Sequence, residues 1–286
     1  MELKGSRTEQ NLEAAFARES QVRNSYLYYA EAAQKAGLGH IADVFLAIAQ
    51  NEGEHARQEF EFLGKIGDTK SNLETAVQVE HYDHTMTYPE FEKTAREEGL
   101  IEIADFFERI GKVEGRHEEV VSKLLQSLDE GTAPKERTVG HSATSMAQLM
   151  LPHQANPAGF VHGGELMKMM DNAAGVVAVR HAGTNVVTAR VENIDFQSPV
   201  RVGELVLVNA FLTFVRRSSM EVRVLVEAES LVTKGRRQAL AAYFVMVSLD
   251  RTGRSTEVAA LIITTEEEER LFEEGRKRYD ARRSSR

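Results

Sequence analysis

Over roughly the first 130 residues, apolar positions recur every three or four residues, and afterwards they alternate or run together. The first period belongs to helices and the second to strands. Leu12, Ala15, Phe16, Val22, Tyr26, Tyr29, Ala30 and Ala33 mark one helical stripe. Ser6-Arg7-Thr8 opens that helix, and Gly37 and Gly39 close it. A second helix carries Ile41, Val44, Phe45, Ile48, Ala49, Phe60 and Leu63, and stops between Gly64 and Gly67. A third runs from about Ser71 to Glu98. Tyr88-Pro89 predicts an interruption in it, because proline removes a helix hydrogen bond. A fourth spans about Leu100–Leu128. Short glycine turns between long helices predict antiparallel neighbours.

Asp129–Thr138 is polar, contains Gly and Pro, and reads as a linker. Beyond it, Glu204–Arg216, Met220–Val232 and Gln238–Asp250 read as long strands of an antiparallel sheet. Gly203, Arg217-Ser218-Ser219 and Lys234-Gly235 punctuate them. One strongly apolar helix runs from Gly164 to His181. A buried helix against one curved antiparallel sheet is an α+β layout. The segment after Thr265 is acidic first and basic last, which suits a solvated helix and its dipole. The expected division is 1–130 helical, 131–138 linker, 139–264 α+β, and 265–286 a charged helix.

The length of 286 residues favours two domains over one. A net charge of −9 argues against nucleic acid or an anionic membrane as the main partner. Cysteine is absent, which excludes disulfides, thiolate metal sites and a cysteine nucleophile. MELKGSRTEQ has no apolar signal core, and no apolar run approaches the ~20 residues of a membrane span. The expectation is a cytoplasmic protein.

The chemistry of the first half lies in a repeat. Gly37–His55 reads GLGHIADVFLAIAQNEGEH, and 62 residues on Gly99–His117 reads GLIEIADFFERIGKVEGRH. Both copies end in Glu-x-x-His: Glu52 with His55, and Glu114 with His117. Residues three apart share a helix face, so each pair can offer a carboxylate and an imidazole to one point. Glu19 precedes the first copy and Glu80 the second, at nearly equal distance. Two Glu plus two Glu-x-x-His from four helices is the di-iron or di-manganese arrangement of a bundle. A solvated acidic face with surface histidines explains one such motif but not a duplicated one with a spaced glutamate ahead of each.

The same residues carry a resemblance. Lys4-Gly5-Ser6-Arg7-Thr8, Glu19-Ser20-Gln21-x-Arg23-Asn24, Glu52-x-x-His55, Tyr88-Pro89 and Ala95-Arg96-Glu97-Glu98-Gly99 make residues 4–128 resemble rubrerythrin, a ferritin-like four-helix bundle. The resemblance implies two iron ions, with manganese as the alternative, held by Glu19, Glu52, His55, Glu80, Glu114 and His117. The family has a further glutamate three residues after the Glu80 position, and here it is Asp83, one methylene shorter. Tyr26, His81, Tyr82 and His84 read as supporting residues. Rubrerythrins usually carry a rubredoxin domain with cysteine-bound iron. This chain has no cysteine, so an external electron donor such as a separate rubredoxin is expected.

In the second half the chemical feature is His162-Gly163-Gly164, followed along the helix by Asp171. Glycines at a helix start let a ligand approach the backbone, and free N–H groups there can hold an oxyanion. Asp171 is a carboxylate in an apolar stretch. The pattern equally suits a packing Gly-Gly and a capped core aspartate, and the residues alone leave both open. The surrounding motifs are Leu151-Pro-x-x-Ala-Asn156, Gly159-x-Val-His-Gly-Gly164, Met170-Asp171-x-Ala-Ala174-Gly175, Asp195-Phe-x-x-Pro199-Val-x-Val-Gly203-Glu204 and Arg217-Ser-Ser219. With them, residues 139–264 resemble hotdog-fold acyl-CoA thioesterases of the acyl-CoA hydrolase branch. That likeness implies Asp171 as the catalytic carboxylate, activating water or attacking the thioester. It implies Asn156 acting across a subunit interface, and Gly164 as oxyanion donor beside His162 and Gly163. Arg217, Ser218 and Ser219 would meet CoA, and Phe160 would bear on substrate selection.

The expectation is therefore a ferritin-like bundle followed by a hotdog domain. It would hydrolyse acyl-CoA, with CoA as part of the substrate, as a dimer or larger homo-oligomer with a shared site. The rivals are a di-iron peroxide reductase or oxidase, and a metal- or redox-sensing module that regulates the thioesterase.

Overall fold

A computed structural model describes residues 3–131, 136–232 and 235–284. The helices come first: α1 (Arg7–Lys35), α2 (Gly39–Phe62), α3 (Thr69–Tyr82), α4 (Tyr88–Glu97) and α5 (Ile101–Asp129). Next come β1 (Glu136–Thr138), the single turn α6 (Val139–Ser142), β2 (Thr144–Leu149), α7 (Gly163–Ala182) and β3 (Asn185–Phe196). β4 (Leu205–Val215), β5 (Ser219–Glu229), β6 (Arg236–Leu249), β7 (Ala260–Ile262) and α8 (Glu266–Ser284) complete the order. The chain divides into two compact units, Met1–Gln78 and Val79–Arg286. Of the expected linker, 132–135 and the turn residue Lys234 lie outside the described residues, and Glu136–Thr138 form β1.

In the first unit α1 and α2 form a hairpin. Ser6 caps α1, its hydroxyl accepting from the Glu9 N–H at 3.1 Å. Gly37 turns the chain at φ +75°, where a Cβ would be strained. The residues buried in these helices are small: Ala30, Ala33, Ala42, Ala49 and Ala56. Phe16 on Phe60 and Tyr26 on Phe45 cross the hairpin at ring distances of 5.0 and 5.7 Å.

In the second unit the expected interruption takes the form of a π-turn, Asp83–Thr87, between α3 and α4. Pro89 then lies in the first turn of α4, where a missing N–H costs nothing. The His84 ring lies over Gly115 of α5, where an added Cβ would come within 3.0 Å. Its Nδ1 donates to the Gly111 carbonyl at 3.0 Å.

The antiparallel sheet has the order β2-β4-β5-β6-β3. The three strands legible as long apolar runs are its centre. The edge strands β2 and β3 carry mostly exposed positions, which dilutes their pattern. α7 lies against one face. Met170, Ala174 and Val177 pack there with Val206, Val224, Leu240 and Phe244 in a dry core. This is the expected helix-on-sheet hotdog layout.

The opposite face is covered by α8. Val222, Val224 and Val226 point to the core, so Glu221 points away from it. Glu221 is nevertheless only 1% exposed. It accepts from Arg278 at 2.8 Å, Arg282 at 3.3 Å and the Thr213 hydroxyl at 2.8 Å. A buried carboxylate needs such partners. Phe272 packs on Phe214, and the Arg278 guanidinium lies 4.0 Å from the Tyr243 ring centroid. The sequence reading of this helix as solvated is thereby corrected: α8 is a packed cover with a charged outer side. Finally, β1 pairs in parallel with β7. Among the described residues no helix is long and apolar enough to cross a membrane.

Candidate functional site

Two groups of three donors stand out among the described residues. In the first unit, Glu19 of α1 and Glu52 and His55 of α2 bring ligand atoms within 4.8 Å of one another. His55 Nδ1 is 2.9 Å from Glu52 and 3.9 Å from Glu19. In the second, Glu80 of α3 and Glu114 and His117 of α5 do the same. His117 Nδ1 is 2.8 Å from Glu114 and 3.6 Å from Glu80. Asp83, the first residue of the π-turn, belongs to neither group.

The electrostatics of both groups ask for positive charge. A hydrogen bond shared with Glu52 raises the Glu19 carboxyl above its ordinary range and lowers that of Glu52. Burial, then Glu114, raises Glu80. Two carboxylates in contact favour a proton or a cation between them. Carboxylates with one imidazole suit iron or manganese, so the donor sets fit that class of metal.

The second nitrogen of each imidazole meets a different partner. His55 Nε2 faces the Asn51 amide at 3.2 Å, one turn back on its own helix. His117 Nε2 donates to the Thr264 carbonyl at 2.8 Å, just before α8. Burial disfavours the His117 imidazolium, but the Thr264 carbonyl and the Glu114 and Glu80 carboxylates outweigh it and raise the pKa. His81 pairs with Glu118 at 3.0 Å and His84 with the Gly111 carbonyl, so neither joins a metal group.

Asp171 sits on the exposed side of α7. Its Oδ1 accepts from the Thr188 hydroxyl of β3 at 2.6 Å. The ladder between β3 and β6 shifts register between Thr188 and Arg190, an irregularity that re-aims side chains. Both residues border an open cavity of about 470 Å³, walled by Gly175, Val176, Val179 and Met246. Thr188 was not among the residues read from the sequence. One threonine in a strand carries no signal until register sets it opposite Asp171.

The helix start is already engaged. His162 caps α7, and its Nδ1 accepts from the Gly164 N–H at 3.0 Å. An added Cβ on Gly163 would come 3.3 Å from the Phe196 ring, so that glycine also permits close packing of helix on strand. Asn156 Oδ1 accepts from the N–H groups of Ala158 and Phe160 at 2.9 and 3.2 Å, folding the loop around Gly159. Arg217 and Ser218 lie in the β4–β5 turn, where Arg217 reaches Glu257 at 3.5 Å. Ser219 borders a second cavity of about 300 Å³ with Arg190, Tyr279 and Arg282. Arg217, Ser218 and Ser219 do not border the Asp171 cavity.

Residues 10–125 match the rubrerythrin family model, and residues 158–234 match that of the thioesterase superfamily. A rubrerythrin of Porphyromonas gingivalis is 42% identical over 143 residues, 46% of this chain and 72% of that protein. An apo-hexameric acyl-CoA thioesterase of solved structure is 33% identical with a TM-score of 0.51, over 52% of this chain and 96% of that one. The chain belongs to both families. The human (Homo sapiens) cytosolic acyl coenzyme A thioester hydrolase is 43% identical over 148 residues, 51% of this chain. The chain spans only 39% of the length of that relative. The two donor groups lie within or at the edges of the rubrerythrin helices, and Asp171 and Thr188 lie within the matched thioesterase segment.

Proposed function

We propose that this chain hydrolyses an acyl-CoA to the free acid and CoA, with Asp171 as the reacting carboxylate. The observation that carries the reading is Asp171 at an open cavity with one oxygen held by the Thr188 hydroxyl. The other oxygen is then the one presented to water. Asp171 takes a proton from that water as its oxygen attacks the thioester carbonyl carbon. The C–S bond breaks, and the proton passes to the leaving CoA thiolate. Direct attack by the carboxylate, with hydrolysis of the mixed anhydride, is the other course. If water attacks the Asp171 carboxyl carbon of that anhydride, the acid leaves with an enzyme oxygen, so an unlabelled first product from a single turnover in isotope-labelled water identifies the second course.

The remaining roles follow the family motifs. The Gly164 N–H serves the oxyanion once His162 gives it up. Asn156 acts with Asp171 across an interface in a dimer or larger homo-oligomer, and Arg217, Ser218 and Ser219 meet CoA. A cytoplasmic location and the functional division 1–130, 139–264 and 265–286 belong to the same proposal. The test is hydrolysis of an acyl-CoA panel by the full chain. Activity on none of them, with free CoA as readout, removes the reading. Mixed dimers of Asn156→Ala and Asp171→Ala chains should regain part of the activity, and no regain in verified mixed dimers would give each chain a complete site.

A second reading is favoured by the two donor groups: each binds one iron ion, two per chain. Iron there would supply two-electron reduction of a peroxide. Glu19, Glu52 and His55 hold one ion, and Glu80, Glu114 and His117 the other. In this reading the electrons come from a separate donor such as a rubredoxin. Anaerobically iron-loaded protein that retains no metal on elemental analysis would remove this reading.

A further inference from the structure

The two donor groups arise from one repeated segment, so differences between the copies are informative. At the offset of 62, Ala47, Asn51 and Glu54 become Arg109, Val113 and Arg116. These are positions i, i+4 and i+7, one face of a helix. In the first copy that face makes bonds within α2: Asn51 meets His55, and Glu54 accepts from Arg57 at 2.9 Å. In the second copy it serves α8. Arg116 ion-pairs with Glu269, and Arg109 lies 3.8 Å from Glu266. The amide that would hold the His117 ring has become valine, and the Thr264 carbonyl takes its place. Thr264 is itself fixed, its N–H and hydroxyl donating to Glu268 at 2.7 and 3.0 Å.

A carbonyl only accepts, so Nε2 carries the proton and a neutral His117 leaves Nδ1 bare. That lone pair faces Glu114 and Glu80 at 2.8 and 3.6 Å. A cation among the three completes such an arrangement. A partner on the far nitrogen is what orients a ligating histidine and tunes its affinity.

We propose that Thr264 is a positioning residue for the second metal ion. Its carbonyl holds His117 with Nδ1 turned to the metal, so metal affinity at Glu80, Glu114 and His117 and docking of α8 on α5 form one coupled equilibrium. The proposal rests on the reading of those three residues as iron ligands. Coupling of this kind is reciprocal: docking tightens metal binding, and metal tightens docking. Because α8 also grips the sheet through Phe272, Arg278 and Arg282, metal occupancy is felt in the thioesterase part.

The test titrates iron(II) anaerobically into the full-length metal-free chain. Arg116→Glu sets like charges against Glu269 and releases the start of α8. The dissociation constant of one ion should rise about 10-fold or more, while that of the other stays put. Adding Val113→Asn rebuilds the amide of the first copy and should return the affinity to within about threefold without redocking α8. Hydrogen exchange over 264–269 reports docking independently, and in the wild type it should slow when iron binds. Arg116→Glu with Glu269→Arg restores the pair with reversed charges and should restore both readouts, which separates undocking from misfolding. If exchange shows α8 released while iron(II) affinity moves by less than about twofold, the proposal is overturned. Failure of Val113→Asn to restore affinity overturns the role of the carbonyl. A wild-type chain that binds no iron(II) overturns the metal reading itself, and this proposal with it.

Discussion

Asp171 and the Glu52–His55 pair both stand on helices, but the helices are held in different ways. Around Asp171, α7 buries Met170, Ala173, Ala174, Val177 and Ala178 to complete exclusion of solvent. Its position is set by packing against five strands. Around Glu52 and His55, α2 buries three alanines and leaves Ile41, Val44 and Leu46 exposed. Alanine contributes little apolar area, so little of the position of these two side chains is set by burial. One region carries its chemistry on a finished frame, and the other carries donors whose geometry a ligand must help to fix. On the proposed reading a bound ion would be part of the architecture in the helical region, whereas substrate would be only a visitor in the other.

The largest effect separates chemistry from frame. Asp171→Asn should lower thioester turnover by ~10²–10⁴-fold with an unchanged melting temperature. A melting temperature that fell along with activity would mean that Asp171 also supports the fold, and the comparison would fail. Next is the frame itself. Phe244 is fully buried among α7 and the sheet, so Phe244→Ala should cost about 3–5 kcal/mol in denaturant unfolding of the thioesterase part. Iron bound at Glu19, Glu52 and His55 should not change, and its loss would tie these two regions together.

Removing iron is the mirror experiment. With free iron about 100-fold above its dissociation constant, chelation should cost the helical region roughly 2–3 kcal/mol, read by hydrogen exchange in α2 and α5. Equal protection with and without iron would show that the helices are finished without it. The smallest effect sharpens the reading of Asp171. Thr188→Val removes one hydrogen bond to a carboxylate, worth about 1.5 kcal/mol, and should slow turnover about 10-fold. An unchanged rate would make the Thr188 contact a packing detail.

Much of this was legible in the residues. Period alone separated helices from strands, and the duplicated Glu-x-x-His located both donor groups. What escaped depended on distant partners. Thr188 meets Asp171 only because α7 crosses β3 at that register. Glu221 reads as the outward position of a strand, and it is buried by arginines 57 and 61 residues on. α8 packs through Leu271, Phe272, Gly275 and Tyr279, a thin stripe among charges that averages to a solvated helix. The π-turn left only a nearby proline as its trace, and that proline marks the start of α4.

The parallel pairing of β1 with β7 has a topological consequence. Glu136 lies beside Ala260, and Thr138 beside Ile262, so the chain enters and leaves the sheet layer through one narrow neck. Excision of everything between would leave cut ends about 5 Å apart across the pair and roughly 7 Å along it, a gap that a few residues span. The lobe is thus built like an exchangeable cartridge, inserted between α5 and the segment that carries Thr264. Another lobe that began and ended at such a neck could be seated there and still deliver a carbonyl to His117, which makes this junction a general socket beside that imidazole.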